Sequence, residues 1–537
     1  MFRLISSSCS RNLNRNVVFN NNNNVRGSYL LNGNNNSNNI VRKGCSFYSS
    51  GNSIEQNDDD DSVRHQLWMF GSCNDAKLGL ATDHDKLLPT KVTHLPHRLR
   101  IKSAQSTWQT SCILTEDNQL FMWGTNSAGQ MGLPQNQIFK FPTLSDMFKM
   151  IDIDQVHLGR SFTLILTSNK LLNNSFNKSE EQGKLLSVGS NDFGQLGLGE
   201  GMRGSSTPRV VEKLNNQELV SIGAGFDHSM AVTKSGHTFG WGYNVEGQIG
   251  QRIVEYKRVE SAGENVDSME NSMTPDAEYN IPTLVPEMES IKVAKVYCGY
   301  DCSFLVSARG NVYAMGNNET GTLGVGDDKL GRVTKPTKVA MPEKVKQLSC
   351  GATHTLFLAE SGRVYSCGWG SEGRLGLGDN TTNRYVPTLI PFFHENGIRV
   401  TQVSAGGAHS MVLTDEGQVY TWGCGENGKL GHNSETNSNI PQLVKSLAKR
   451  NAILIAAGID TSMVRCSIAT TSSLIDVGLA VTAPTWKCID LPTFQRLDRT
   501  LLRLLLASLS LFSGTTTPER CPYAQLHRWV HMDIVAD

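Results

Sequence analysis

Between about residue 66 and residue 466, short runs of alternating aliphatic, aromatic and small residues recur, and each ends on glycine. Val364-Tyr365-Ser366-Cys367-Gly368 and Val419-Tyr420-Thr421-Trp422-Gly423 are two of them. Such alternation predicts strands. Six residues before the glycine stands Gly236, Gly310, Gly362 or Gly417, with Asn118 in the first full copy. Glu360-Ser361-Gly362 and Asp415-Glu416-Gly417 read as three-residue hairpin turns that need a left-handed residue. Asparagine is the usual second choice after glycine there. A second strand is expected upstream, at Thr355–Ala359 or Ser410–Thr414. Before it sits Gly-x-x-His: Gly225 to His228, Gly351 to His354, Gly406 to His409. A third strand precedes that, at Gln347–Cys350. Prolines 89, 142, 208, 282, 336, 387 and 441 follow the glycine-rich loops and are expected to open a fourth. Proline lacks the ladder N–H and belongs at a strand start or an edge.

The glycine that ends each run opens a longer pattern, Gly-x4-[Gly/Ala]-x-[apolar]-Gly. It starts at Gly71, Gly124, Gly189, Gly242, Gly316, Gly368 and Gly423, at steps of 53, 65, 53, 74, 52 and 55 residues. The two long steps hold polar insertions at about 168–182 and 251–280, of the kind a surface loop tolerates. Four strands per unit of about 50 residues, seven times, predict an all-β, seven-bladed β-propeller. The ends complement one another. A lone strand, Leu67–Phe70, opens the chain, and Ala456–Cys466 reads as the two strands that should precede it. A blade split between the N- and C-terminal strands would close the ring and hide both edges.

Composition narrows the function. The 537 residues carry 50 basic and 50 acidic side chains, so direct nucleic-acid binding, which needs a basic surface, is not supported. No stretch approaches the roughly 20 apolar residues of a membrane span. The 12 cysteines form no CxxC pair, and Cys298 and Cys302 are the only close pair, which argues against a zinc site or a disulfide scaffold. No nucleophile, paired-carboxylate or phosphate-loop constellation appears. The expectation is a monomeric binding or regulatory protein, without metal, cofactor or catalytic residues.

Residues 1–57 are set apart. Arg3, Arg11, Arg15, Arg26, Arg42 and Lys43 occur with no acid before Glu55, which reads as a mitochondrial transit peptide. The runs Asn20–Asn24 and Asn34–Asn36 cannot form a core. An Asn-rich tail without targeting role is the alternative. The propeller is expected over 58–466. Residues 467–537 contain no further repeat, and a docking segment and a stretch foreign to the fold both remain open.

Asn191-Asp192-Phe193-Gly194-Gln195-Leu196-Gly197-Leu198-Gly199, Trp241-Gly242-Tyr243-Asn244 and Gly351-Ala352-Thr353-His354-Thr355 resemble the regulator of chromosome condensation repeat. The resemblance covers about 66–466 and implies the propeller fold. Its members include a nuclear exchange factor for a Ras-like GTPase, a plant ultraviolet receptor, ubiquitin-ligase modules, ciliary scaffolds and mitochondrial proteins. Members with transit peptides imply a mitochondrial adaptor or assembly factor, with ribosomal or RNA-processing proteins or a GTPase as partner. A guanine nucleotide exchange factor for a Ras-like GTPase outside mitochondria is the alternative.

Equivalent turns of all blades converge on one face. Counted from the motif glycine, the histidine position is Thr110, Phe162, His228, Cys302, His354, His409 and Thr461. The residue before it is Gln109, Ser161, Asp227, Asp301, Thr353, Ala408 and Asp460. In the nuclear exchange factor, Asp and His of these turns face the GTPase. The resemblance therefore implies Asp227, His228, Asp301, His354, His409 and Asp460 as partner-binding residues. The competing expectation is that the recurring histidines tie strand to loop. Trp68, Trp123, Trp241 and Trp422 are expected to sit at equivalent strand ends and pack the blades. The start of the larger insertion, Gln251 to Arg258, is a further place where a partner could touch, against a solvated loop.

Overall fold

The computed structural model describes residues 63–96, 99–168, 183–253, 279–378 and 382–469. Residues 1–57, which the sequence suggests are a transit peptide, the tail beyond 469 and most of both insertions lie outside the described residues. Within them the alternating runs form seven four-stranded antiparallel sheets, the blades of a β-propeller. Blades 1 to 6 are continuous in the chain, at 101–144, 153–210, 219–284, 293–338, 345–389 and 400–443. Blade 7 takes Ala452–Ala457 and Thr461–Ala469 from the C-terminal side and Val63–Gly71 and Lys86–Lys91 from the N-terminal side. Val63–Gly71 pairs along its whole length with Thr461–Ala469, with Leu67 opposite Arg465 and Phe70 opposite Ser462. Ala452–Ala457 of blade 7 packs against Ile101–Ser106 of blade 1.

Burial follows strand order. Every residue of the second strands His354–Ala359 and His409–Thr414 is buried, because a neighbouring blade covers each face. The fourth strand faces solvent, as in Arg332–Lys338. Six of the prolines sit inside this outer strand rather than opening it, and Pro282 alone stands just before its strand, Thr283–Leu284. Pro387 lies between Arg384, which pairs with Gly368, and Thr388, which pairs with Ser366, where the register slips by a bulge. The missing N–H therefore falls where the ladder is already broken. The second strands begin one residue earlier than the alternation suggested, on the histidine itself. Asn118 has φ of +68° at its hairpin, and its side chain bonds the Ile151 carbonyl and the Ile153 N–H at the start of the next blade.

The core lies between blades. Trp123, Trp241 and Trp422 are fully buried, and each indole N–H donates to a loop carbonyl of the preceding blade, on Lys77, Gln195 and Arg374 respectively, at 2.7–3.0 Å. Burying such a ring stabilises by roughly 2–3 kcal/mol. Trp68 does not belong to this set. It stands three residues before its glycine rather than one; Phe70 holds the equivalent place, and Trp68 lies beneath the Arg450 guanidinium at 4.0 Å. Short helical turns join one blade to the next and bury Phe148, Leu214, Met288, Phe393 and Leu447 as plugs. No helix among the described residues is long and apolar enough to cross a membrane.

Candidate functional site

The turn between the first and second strand sits at the same end of every blade, at the mouth of a central channel of about 340 Å3. The histidine position opens each second strand and pairs with the motif glycine, as His354 does with Gly368 and Thr461 with Gly71. The carbonyl before it accepts an N–H from the residue after that glycine: Tyr243 bonds Asp227, Asn317 bonds Asp301, Ser72 bonds Asp460, all at 2.8–2.9 Å. This closeness is why the position is glycine. Gly368 has φ of +114°, and a Cβ there would lie 2.4 Å from the Thr353 carbonyl oxygen.

The three histidines point away from this face. His228, His354 and His409 are each 0% exposed. Their Nε2 atoms bond Ser303, Ser410 and Ser462 of the following blade at 2.8–2.9 Å. Ser410 and Ser462 donate onward to the Arg374 and Lys429 carbonyls. With its one proton committed, each serine must accept from the imidazole, so Nε2 carries the proton and Nδ1 is a bare lone pair. The Nδ1 atoms indeed have no partner. Burial pushes the His228 and His409 pKa values down to about 3 and that of His354 well below its ordinary value. These rings clamp blade to blade; they do not tie strand to loop within one blade. Gly351 makes room for the clamp, since a Cβ there would lie 2.7 Å from His354 Cε1.

The three aspartates lie one residue earlier and differ from one another. Asp227 is buried, not exposed. Arg160 of the preceding blade grips it through two contacts, at 2.7 and 3.1 Å, with Gln195 Nε2 at 3.4 Å. Burial pushes its carboxyl up to about 6, and the Arg160 charge pulls the other way. Asp460 receives Lys429 Nζ at 2.9 Å. Burial opposes its charge too, but Lys429 and Lys77 outweigh that and hold it below the usual carboxylate range. Asp301 is half-buried, and burial first, then the charges of Glu246 and Asp227, pushes its carboxyl up to about 7.

Two residues before each histidine position is a place the sequence reading left unused, and here it lines the mouth. Phe226 and Tyr300 stack at 4.0 Å, and Trp108 meets both edge-on at 5.7 and 6.1 Å. Arg160 lies 4.6 Å over the Phe226 ring. Ala352 and Gly407 occupy the same place in blades 5 and 6, so the aromatic lining of the mouth is on one side only. The signal was present: Arg160, Phe226 and Tyr300 all follow the turn glycine. So was the hydroxyl after the histidine position, which is Ser or Thr in all seven copies, at 111, 163, 229, 303, 355, 410 and 462. Among the described residues no group of three metal-ligating side chains is close enough to hold an ion.

Comparison with known proteins follows the same geometry. The model of the RCC1-like domain matches residues 173–464, and the regulator of chromosome condensation (RCC1) repeat matches 101–130 and 117–166. The chain is 26% identical to the ultraviolet-B receptor UVR8 of Arabidopsis thaliana, over 71% of this chain and 77% of that protein. It is 28% identical to the mitochondrial RCC1 domain-containing protein RUG3 of Arabidopsis thaliana, over 63% and 73%. It is 26% identical to the secretion-regulating guanine nucleotide exchange factor of Mus musculus, over 75% and 84%. Among solved structures, human WBSCR16 superposes with a TM-score of 0.60 at 22% identity, covering 75% of this chain and 99% of that one. Prp20p of Saccharomyces cerevisiae, described with its binding to Gsp1p and histones, gives 0.62 at 21% identity, covering 77% and 94%. Seven glycine-pinned blades and a domain match across more than half of the chain make this protein a member of the regulator of chromosome condensation family of β-propellers.

Proposed function

We propose that this chain is a mitochondrial protein-interaction propeller, an adaptor or assembly factor in ribosome assembly, organelle RNA handling or regulation of a mitochondrial GTPase. It docks its partner on the channel-mouth face. The observation that carries the docking face is a division within each turn. Behind the face, the histidine or its replacement is buried and the next residue is always a hydroxyl; in front, the residues change from blade to blade. A scaffold repeats what joins blades and varies what meets a partner. The acid-free, arginine-bearing N-terminus supports the mitochondrial part, as does the similarity to a relative named as mitochondrial.

A second reading has its own support. Similarity over 75% of the chain to a relative named as a guanine nucleotide exchange factor favours exchange on a Ras-like GTPase outside mitochondria. Exchange needs only a surface that binds the nucleotide-free GTPase better than the loaded form. Location separates the two. Residues 1–60 fused to a fluorescent reporter are expected to carry it into mitochondria, and affinity purification from isolated mitochondria is expected to bring down ribosomal or RNA-processing proteins or a GTPase. A diffuse reporter would overturn the mitochondrial reading and leave the second.

A further inference from the structure

Three aspartates occupy the same turn position, and the chain supplies a cation to two of them. Asp227 takes Arg160, which stands two residues before the histidine position of the preceding blade. Asp460 takes Lys429, from the glycine-rich loop of the preceding blade. The blade before Asp301 has Phe226 and Gln248 at those two places. Neither carries charge, and among the described residues no Lys, Arg or His pairs with Asp301.

A second observation points to something missing from the same spot. Gln248 is buried and its Nε2 has no partner, whereas the Asn317 side chain lies against the Glu246 carboxylate. Gln248 is held as its counterpart Gln195 is, with Oε1 accepting a loop N–H at 2.9 Å, from Glu246 in one case and Phe193 in the other. In Gln195 that hold brings Nε2 to Asp227. Asn317 is joined to the Asp301 turn directly, its N–H bonding the Asp301 carbonyl at 2.8 Å. A buried donor left unbonded costs about 1–3 kcal/mol, so Gln248 Nε2, whose counterpart reaches Asp227, marks an incomplete constellation at the unpaired carboxylate.

We propose that Asp301 is the socket for an arginine side chain of the docked protein partner. A guanidinium pairs with a carboxylate through two parallel bonds and stacks on aromatic faces, which an ammonium does less well. Tyr300 adjoins Asp301 in the chain and offers the ring face that Phe226 does not cover. One blade earlier, Arg160 already makes this arrangement within the chain, against Phe226 and Asp227. Glu246 and Asp227 add negative charge around the socket, which the Arg160 guanidinium offsets only in part. The assignment rests on the channel-mouth face being the docking face, and names one chemical feature of what docks.

The test uses the full chain and three short probes: acetyl-Gly-Arg-Gly-amide, its citrulline counterpart, which keeps the shape and lacks the charge, and its lysine counterpart. Titration followed by NMR is expected to give a Kd about tenfold lower for the arginine peptide, the size of one charge-assisted hydrogen bond. Asp301→Asn is expected to abolish that preference. Gln248→Lys, which copies the Lys429–Asp460 pair, is expected to abolish it too while leaving the chain folded, so the test survives if Asp301→Asn does not fold. Equal Kd values for the arginine and citrulline peptides, or a preference that persists in both variants, would overturn the proposal. A lysine peptide binding as tightly as the arginine peptide would overturn the assignment to a guanidinium. Because the probes need no partner, an arginine preference that holds while the reporter stays diffuse sinks the mitochondrial reading alone.

Discussion

Asp227 and His228 are neighbours in the chain and belong to different parts of the molecule. The imidazole turns back between blades and bonds Ser303; the carboxylate turns toward the mouth and meets Arg160. The same split recurs at Asp301 and Cys302, at Thr353 and His354, and at Asp460 and Thr461. Residues that open a strand alternate sides, so a one-residue step crosses from scaffold to working face. Behind the face the position stays buried and the hydroxyl after it recurs in all seven blades, while the face is free to differ. Residue type recurring across blades therefore marks structure here, and variation marks the place to look for a partner.

The sharpest way to break the scaffold side is at its closest backbone approach. Gly368→Ala is expected to cost about 3 kcal/mol or more, since the left-handed φ and the 2.4 Å approach to Thr353 both oppose a side chain. Chemical denaturation should show the loss with little change in m-value. His409→Ala comes next. It empties a buried site and leaves Ser462 without its imidazole donor, for about 2–4 kcal/mol, readable as a lowered denaturation midpoint.

A third effect is smaller at neutral pH and grows in acid. His228, His354 and His409 are neutral in the fold, with pKa values depressed below the unfolded value. Their contribution is fully present above about pH 6.5 and is lost as pH falls, because the unfolded chain takes up protons that the folded chain refuses. Each such histidine weakens the fold by about 1.4 kcal/mol per pH unit below that point. Asp227 and Asp301 work in the opposite direction. Their raised values let the fold hold protons more tightly between about pH 4 and 7, which returns some stability as pH falls. Three histidines against two carboxylates leave a net loss between pH 6.5 and 5. His409→Gln is expected to flatten that slope in thermal unfolding across the range, and an unchanged slope would show that the ring is not buried neutral.

The propeller was legible because its pinning residues are glycines at positive φ, and few other residues fit there. Seven repetitions of that constraint also made the turn alignment readable, by counting each histidine position from its glycine. Less of the site was legible. A recurring Gly-x-x-His says that something fits between two glycines and does not say which way the ring turns; the partner hydroxyls lie 53 to 75 residues further on in the next blade. Trp68 misled for a related reason. A tryptophan near a strand end looks alike whether it stands one or three residues before the glycine; both places face the neighbouring blade, but only the first is fully enclosed there. Asp227 looked like a surface carboxylate because its cation, Arg160, is 67 residues away in sequence. Its removal would strand that arginine, so Asp227→Ala is not a clean probe of the face, and Asp301 is the better one.

Asp301 gives the most direct measurement, thermal unfolding at pH 7.5 of Asp301→Asn beside His409→Ala. A half-buried carboxylate whose pKa the fold raises to about 7 is a burden on the folded state at that pH, and the amide relieves it. Asp301→Asn is therefore expected to melt at or above the wild-type temperature, as a residue kept for binding rather than for stability should. His409→Ala is expected to melt several degrees lower. If the two variants instead fall together, the face and the clamp are not separate, and the division on which the docking face rests is wrong.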